Sequence, residues 1–477
     1  MSNITMGIII GNRGFFSDEL CRDARERLLP VLEKHGVKPI IFTENEGSAG
    51  SVQNREDALR CAALFKEYRE EIKGVIVSLP NFGDEKSIAQ TIRMSGLDVP
   101  VLVQAFNDDL NQLDYNHRRD SYCGKISVCN NLKQYGINYT LTTSHTIDPE
   151  SDEFQSDLQM FIGVCRVVDR LRDARIGLIG ARPADFNTVR FSEKLLEKKR
   201  ISVEPVGLLD LINKIEKLDD DHVEVKEALK KLESYMDTTQ VPVASISKTA
   251  KLLVVYEKWI KENRIDAVAF QCWGSLQHSL GINPCLVMSL LSNEGTPSAC
   301  ESDVLGALSM YALQAASGLP SGIVDWNNNY DHDPNKALIF HCGNYPKAIY
   351  HCGKNECPQV NYPEILASTL GQERTYGAIE GRIKSGELTF CRISTDDTEG
   401  KIKAYLAEGE ITEETVNTFG SWGVVRVEGL QKLMRYICLN GFEHHVAINL
   451  STVGSILEEA FSNYLGWKVY NHKKLDF

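Results

Sequence analysis

Short runs of aliphatic residues, each followed by a loop and then by apolar residues at helical spacing, recur through the first two-thirds of the chain. A polymer with that pattern has few ways to fold, because strands that read as continuous apolar runs must be covered on both faces. Met6-Gly-Ile-Ile-Ile-Gly11 opens the series, and after the loop Asn12-Arg13-Gly14-Phe15-Phe16 either Ser17 or Asp18 can cap a helix carrying Leu20, Ala24, Leu28 and Val31. With Val37-Lys-Pro-Ile-Ile-Phe42, Gly74-Val-Ile-Val-Ser-Leu79 and Val99-Pro-Val-Leu-Val-Gln104, residues 1–172 are expected to form an α/β domain. The pattern restarts at Ala174-Arg-Ile-Gly-Leu-Ile-Gly180, and Ser202–Val206 and Asp266–Phe270 extend it into a second doubly wound domain over 173–328. Between them, Leu218 to Asp237 predicts a charged helix with a solvated face and Val225, Leu229, Leu232 and Met236 on its inner stripe. From 329 to 477 the texture changes to short strands in glycine- and charge-rich connections, Ala337–Phe340, Leu388–Ile393, Lys401–Tyr405, Gly423–Val427 and Val446–Asn449, then a helix from Ile456 to Leu465. The expected fold is therefore α/β, two doubly wound parallel-sheet domains followed by a mostly antiparallel β domain.

Several partner classes drop out early. The glycines at 7, 11 and 14 do not make Gly-x-Gly-x-x-Gly, so a dinucleotide fails on spacing. A formal charge of −13, from 52 basic and 65 acidic residues, disfavours nucleic acid and anionic membrane surfaces. The N-terminal residues carry no basic stretch ahead of a long apolar one, and no run approaches the ~18 apolar residues of a membrane span. A cytoplasmic location is the expectation. Thirteen cysteines scattered among apolar neighbours, among them Cys129, Cys165, Cys272, Cys300, Cys391 and Cys438, read as reduced core thiols. His341-Cys342, His351-Cys352 and Cys357 match no compact zinc-binding spacing.

Chemistry concentrates between Thr296 and Pro346, where acids and a histidine interrupt apolar segments. Glu301 precedes a helix-like run (Val304, Leu305, Leu308, Met310, Tyr311, Leu313), which puts its carboxylate near a helix N-terminus. Asp325 ends Gly-Ile-Val and His341 ends Ala-Leu-Ile-Phe, so both are expected at strand ends, where sites collect. Each also admits a plainer reading as helix cap, turn acid or satisfied core histidine. Two carboxylates and an imidazole together suit a divalent cation of the Mn, Mg or Fe type.

Ala299-Cys-Glu301-Ser-Asp, Val324-Asp325-Trp, His341-Cys-Gly-Asn344 and Gly441-Phe-Glu-His444-His445-Val-Ala come in an order that resembles the metal-binding region of the L-fucose isomerase and L-arabinose isomerase superfamily. Gly11-Asn-Arg-Gly-Phe-Phe16, Leu79-Pro-Asn-Phe82 and Asp120-Ser-Tyr-Cys-Gly124 resemble family segments too. The resemblance implies a metal-dependent aldose–ketose isomerase for an unphosphorylated deoxyhexose, pentose or sulfonated hexose such as sulfoquinovose. It implies Mn²⁺, with Mg²⁺, Co²⁺ or Fe²⁺ as substitutes, held by Glu301, Asp325 and His445, and Glu301 and Asp325 as catalytic acid–base groups working through a cis-enediol. The resemblance also implies His445 over His444 as ligand, since the family's ligand histidine follows an asparagine or histidine that touches substrate. Neighbouring strand residues point to opposite faces, so both cannot easily ligate. Substrate contacts are expected from Arg13, Phe82, Gln271, Trp273, His341, Trp422 and His444, with Arg13 and Phe82 supplied by a neighbouring subunit of a homo-oligomer, a hexamer in relatives. Trp422 reads equally as core, and Arg182 at a loop end would suit a sulfonate. The alternative from another class is a sugar-binding sensor that closes two α/β domains without chemistry. It gives no reason for buried acids.

Overall fold

In the computed structural model, which describes residues 4–354 and 356–472, the first apolar runs pair as five parallel strands. The ends of the first and last expected segments, 1–3 and 473–477, lie outside the described residues. Ile4–Ile10 lies between Val37–Ile40 and Ile72–Leu79, and Val101–Ala105 and Thr140–Leu141 continue the sheet beyond the latter. Strand alternation sorts their side chains into two cores. Ile9, Val75 and Val103 face the helices Arg55–Glu67, Glu85–Ser95 and Ser121–Gln134, while Ile8, Ile10 and Ile76 face the helices Glu19–Lys34 and Asp152–Leu171. That is the doubly wound arrangement the continuous apolar runs require.

The fully buried Lys125 sits in this unit, its Nζ donating to Thr142 Oγ1 at 2.6 Å and to the His145 carbonyl at 2.8 Å. Burial pushes its pKa down from 10.5 to about 8. The folded state therefore binds fewer protons than the unfolded state between those values, so stability rises with pH across that window and the penalty is fully present below it. Urea unfolding of wild type and Lys125→Met should diverge by up to about 3 kcal/mol between pH 7.5 and 10.5, with the wild type gaining. Parallel curves would remove the assigned cause.

A second sheet is built from the restarted pattern: Ser202–Val206, Arg175–Ile179, Ala267–Phe270 and Ser298–Ala299, all parallel and in the same 2-1-3-4 order as the first four strands of the N-terminal sheet. The C-terminal strands form one nine-stranded, mostly antiparallel sheet, with Gly322–Asn329 flanked by Lys336–His341 and His445–Asn449. One apolar core, including Phe270, Leu286, Val324, Ile339 and Val446, joins these two sheets. Of the described residues, those of Met1–Asp169 and Glu459–Gly466 form one compact unit, and those of Arg170–Glu458 and Trp467–Phe477 another. Glu459–Gly466 enters the first unit through Tyr464, whose hydroxyl accepts from the Val101 N–H at 3.3 Å.

Three expectations need correction. The helix expected over Leu218 to Asp237 spans only Val223–Tyr235, because Asp219 to His222 form a turn after the preceding helix Leu208–Glu216; its buried stripe is Val225, Ala228, Leu232 and Tyr235. Cys352 and Cys357 form a disulfide and so depart from the reduced thiols expected of the cysteines. Cys438 is an exposed thiol and Cys129 a half-buried one. No described helix is long and apolar enough to cross a membrane.

Candidate active site

The parallel strand Ser298–Ala299 leads into a sharp reversal in which Glu301 and Ser302 both adopt left-handed conformations, at φ 61° and 59°. Each such non-glycine residue costs on the order of 1–3 kcal/mol and persists only where surroundings impose it. Here the Ser302 N–H donates to the Phe270 carbonyl at 2.7 Å and the Asp303 N–H to the Cys300 carbonyl at 3.0 Å. Asp303 then caps the helix Val304–Ser317 by accepting the Gly306 N–H at 2.8 Å. Glu301 thus precedes a helix start, as its sequence context predicts.

Asp325 and His445 are directly opposed across the antiparallel pair Gly322–Asn329 and His445–Asn449. Asp325 lies within its strand and not at its end, because the polar Asn327–Asn329 arm continues outward as exposed strand paired to Lys336–His341. The His445 Nε2 is 2.9 Å from a Glu301 oxygen and 3.4 Å from Asp325 Oδ1. The three groups meet. Strand alternation does not keep His444 away, since it bends just ahead of the strand and its Nε2 comes within 3.6 Å of Asp325 Oδ1. His341 ends its strand with its ring centre 5.6 Å from that of His445, and its Nδ1 accepts the Cys342 N–H at 2.9 Å.

A network that sequence reasoning missed stands behind His445. Asp303, Arg392 and Glu443 are all buried. Asp303 accepts the His445 Nδ1–H at 2.9 Å and two Arg392 N–H groups at 2.5 and 3.1 Å, while Glu443 accepts from Arg392 Nε at 3.1 Å and Ser394 Oγ at 2.9 Å. An anionic acceptor at Nδ1 fixes the proton there and leaves the Nε2 lone pair facing Glu301 and Asp325. Burial alone would raise the Asp303 pKa, but Arg392 and His445 outweigh it and hold the carboxyl well below the usual range. Burial likewise works against charge on His445, yet Asp303 and Glu301 hold its pKa above the ordinary histidine value. His444 is pushed down, by burial first and then by His445.

Other expected site residues distribute unevenly. Trp273 donates its indole N–H to Glu301 Oε1 at 3.1 Å, and Phe186, which the sequence did not single out, packs edge-on against Trp273 and His444. Gln271 is occupied structurally, accepting the Ala181 N–H at 2.9 Å and donating to Ser275 at 3.0 Å. Trp422 is buried among Leu338, Phe340 and Val424, the packing alternative of its two readings. Arg182 donates to the carbonyls of Pro183 and Ala184. In the first unit, Arg13 stacks on Phe82 at 4.2 Å and pairs with Glu85, on loops that follow adjacent parallel strands at the point where strand order reverses.

A cation fits the donor set. Asp325 Oδ1 and His445 Nε2 are buried without a hydrogen-bond partner, with a Glu301 oxygen 2.9 Å from Nε2. Unpaired buried polar atoms are costly, and a divalent ion on oxygen and nitrogen donors satisfies them together. Glu301, His341 and His445, and equally Asp325, His444 and His445, each offer ligand atoms within 4.8 Å of one another.

Residues 7–172 match the family model for the N-terminal domain of fucose/sulfoquinovose isomerases, and residues 339–473 the model for the C-terminal domain of L-fucose isomerase. Fold and matched domains together define a sugar isomerase. Proteins named sulfoquinovose isomerase from Priestia aryabhattai and Priestia megaterium are each 24% identical over 358 residues, covering 73% of this chain and 76% of theirs. Another of that name from Alkalicoccus urumqiensis is 25% identical, over 63% of this chain and 66% of its own. The chain belongs to the fucose/sulfoquinovose isomerase family.

Proposed function

We propose that this enzyme is a metal-dependent aldose–ketose isomerase acting on an unphosphorylated sugar, with a sulfonated hexose of the sulfoquinovose type as the first substrate to test. The observation that carries the reading is the pair of unpartnered buried atoms, Asp325 Oδ1 and His445 Nε2, facing one another beside Glu301. Glu301, Asp325 and His445 would hold the cation, Mn²⁺ or Mg²⁺, Co²⁺ or Fe²⁺ in its place. When bound it supplies Lewis acidity that polarises the sugar carbonyl and acidifies the neighbouring C–H. One carboxylate takes the proton from carbon and returns it to the adjacent carbon by way of a cis-enediol, while the other moves a proton between the two oxygens. Each such step contributes roughly 10²–10⁴ in rate. Trp273 orients Glu301 through its indole N–H, and Asp303 orients His445. His444 and His341 border the same space and would contact substrate hydroxyls. The names of the relatives support the sulfonated sugar, and a cytoplasmic homo-oligomer with Arg13 and Phe82 reaching a neighbouring subunit's substrate is the assembly proposed with it.

Chelation followed by dialysis should lower turnover of sulfoquinovose by on the order of 100-fold or more, with recovery on adding Mn²⁺. In D₂O, proton NMR should show deuterium entering the product at the carbon that exchanges its proton. Full activity in the chelated enzyme would reject the metal, and product free of deuterium would replace the enediol by a hydride shift. The sensor alternative gives way because both matched domain models are those of isomerases.

A further inference from the structure

Four free cysteines far apart in sequence, Cys272, Cys285, Cys300 and Cys342, gather in the second unit. The other three thiols, together with burial, hold the Cys300 pKa well above the usual thiol range. The cluster does not end in sulfur. His341 Nδ1 lies 3.5 Å from the Cys342 sulfur, and Cys300, His341 and Cys342 present ligand atoms within 4.8 Å of one another. In a tetrahedral zinc site the M–S distance is about 2.3 Å, which sets neighbouring donors about 3.7 Å apart, so little movement is needed. The Cys342 N–H donates to His341 Nδ1, so an ion on that nitrogen takes the place of this hydrogen bond. Cys272, Cys285 and Cys300 are buried, whereas Cys342 is partly exposed and gives the cluster a side open to solvent.

From this juxtaposition we infer that Cys300 and Cys342, with His341, form a second metal site for a thiophilic divalent cation of the Zn²⁺ or Cd²⁺ type. Soft thiolates select such ions over the Mn²⁺ class that favours carboxylate oxygen. Binding one ion displaces whatever protons the two sulfurs and the imidazole still hold. Cys300 is bonded to Glu301 and Cys342 to His341, so an ion here clamps both segments that deliver those side chains. The inference rests on the sulfur geometry and stands whether or not the isomerase reading does.

The test is titration of the reduced, full-length protein with Cd²⁺ in excess Mn²⁺, following sulfur-to-metal charge-transfer absorption. One equivalent should produce the band. Cys342→Ser should weaken Cd²⁺ binding by on the order of 100-fold, since losing even an outer-shell partner costs 10–100-fold, while Cys438→Ser, at an exposed thiol, should not change it. No band in folded wild type, or an undiminished band in folded Cys342→Ser, overturns the site. If Cys342→Ser does not fold, ¹¹³Cd NMR of the wild type decides, a sulfur-rich shift supporting the site and an oxygen-donor shift refuting it.

Discussion

Glu301→Gln should leave a folded protein whose turnover is lower by about 10⁴-fold or more, as expected when an acid–base group and a charged metal donor are lost together. The substitution keeps the side chain's size and an oxygen able to accept the Trp273 indole N–H, now found at 3.1 Å. It removes only the charge that faces His445 Nε2. Circular dichroism and the melting temperature should stay close to wild type, which separates this outcome from unfolding. The comparison that sharpens it is Asp325→Asn, which removes the other carboxylate beside the same nitrogen. If Glu301→Gln retained turnover within tenfold of wild type at saturating Mn²⁺, Glu301 would lose its assigned role, and the strained reversal at Glu301 and Ser302 would need another purpose.

The parallel sheets were legible because their strands are continuous apolar runs, a pattern only two-sided burial accommodates. The convergence of Glu301 and Asp325 on His445 was suggested by the order of motifs, and cross-strand register explains how a residue 120 positions beyond Asp325 reaches it: Asp325 is the pairing partner of His445. Arg392 escaped notice because Leu388-Thr-Phe-Cys-Arg-Ile393 looks like a strand with a solvated arginine, whereas the side chain turns inward to Asp303 and Glu443. Asp303 did carry a signal, an aspartate immediately before an apolar helical run, which is the pattern of a helix cap. Its second task, holding His445, needs a partner 142 residues away that local pattern does not reveal. The thiol cluster is hidden for the same reason, since Cys272, Cys285, Cys300 and Cys342 show no metal-ligand spacing.

Arg392→Met should be the most destabilising of the substitutions considered, lowering unfolding free energy by about 3–5 kcal/mol, because it strands buried Asp303 and Glu443 without their counter-ion. Chemical denaturation measures it directly. The loss comes from leaving charges unpaired more than from any net worth of the pairs, so neutralising all three groups should behave differently. Asp303→Asn, Arg392→Met and Glu443→Gln combined should recover much of the stability that Arg392→Met alone loses. Metal affinity should not recover with it. An asparagine can still accept the His445 Nδ1–H, but it no longer offers the negative charge that strengthens the imidazole as a donor, and Mn²⁺ affinity should stay 10–100-fold below wild type. Stability and metal binding would then part company in one protein, which a purely structural role for the Asp303–Arg392–Glu443 network would not produce. Full Mn²⁺ affinity in the combined variant would reduce Asp303 to a helix cap and leave His445 oriented by its strand alone.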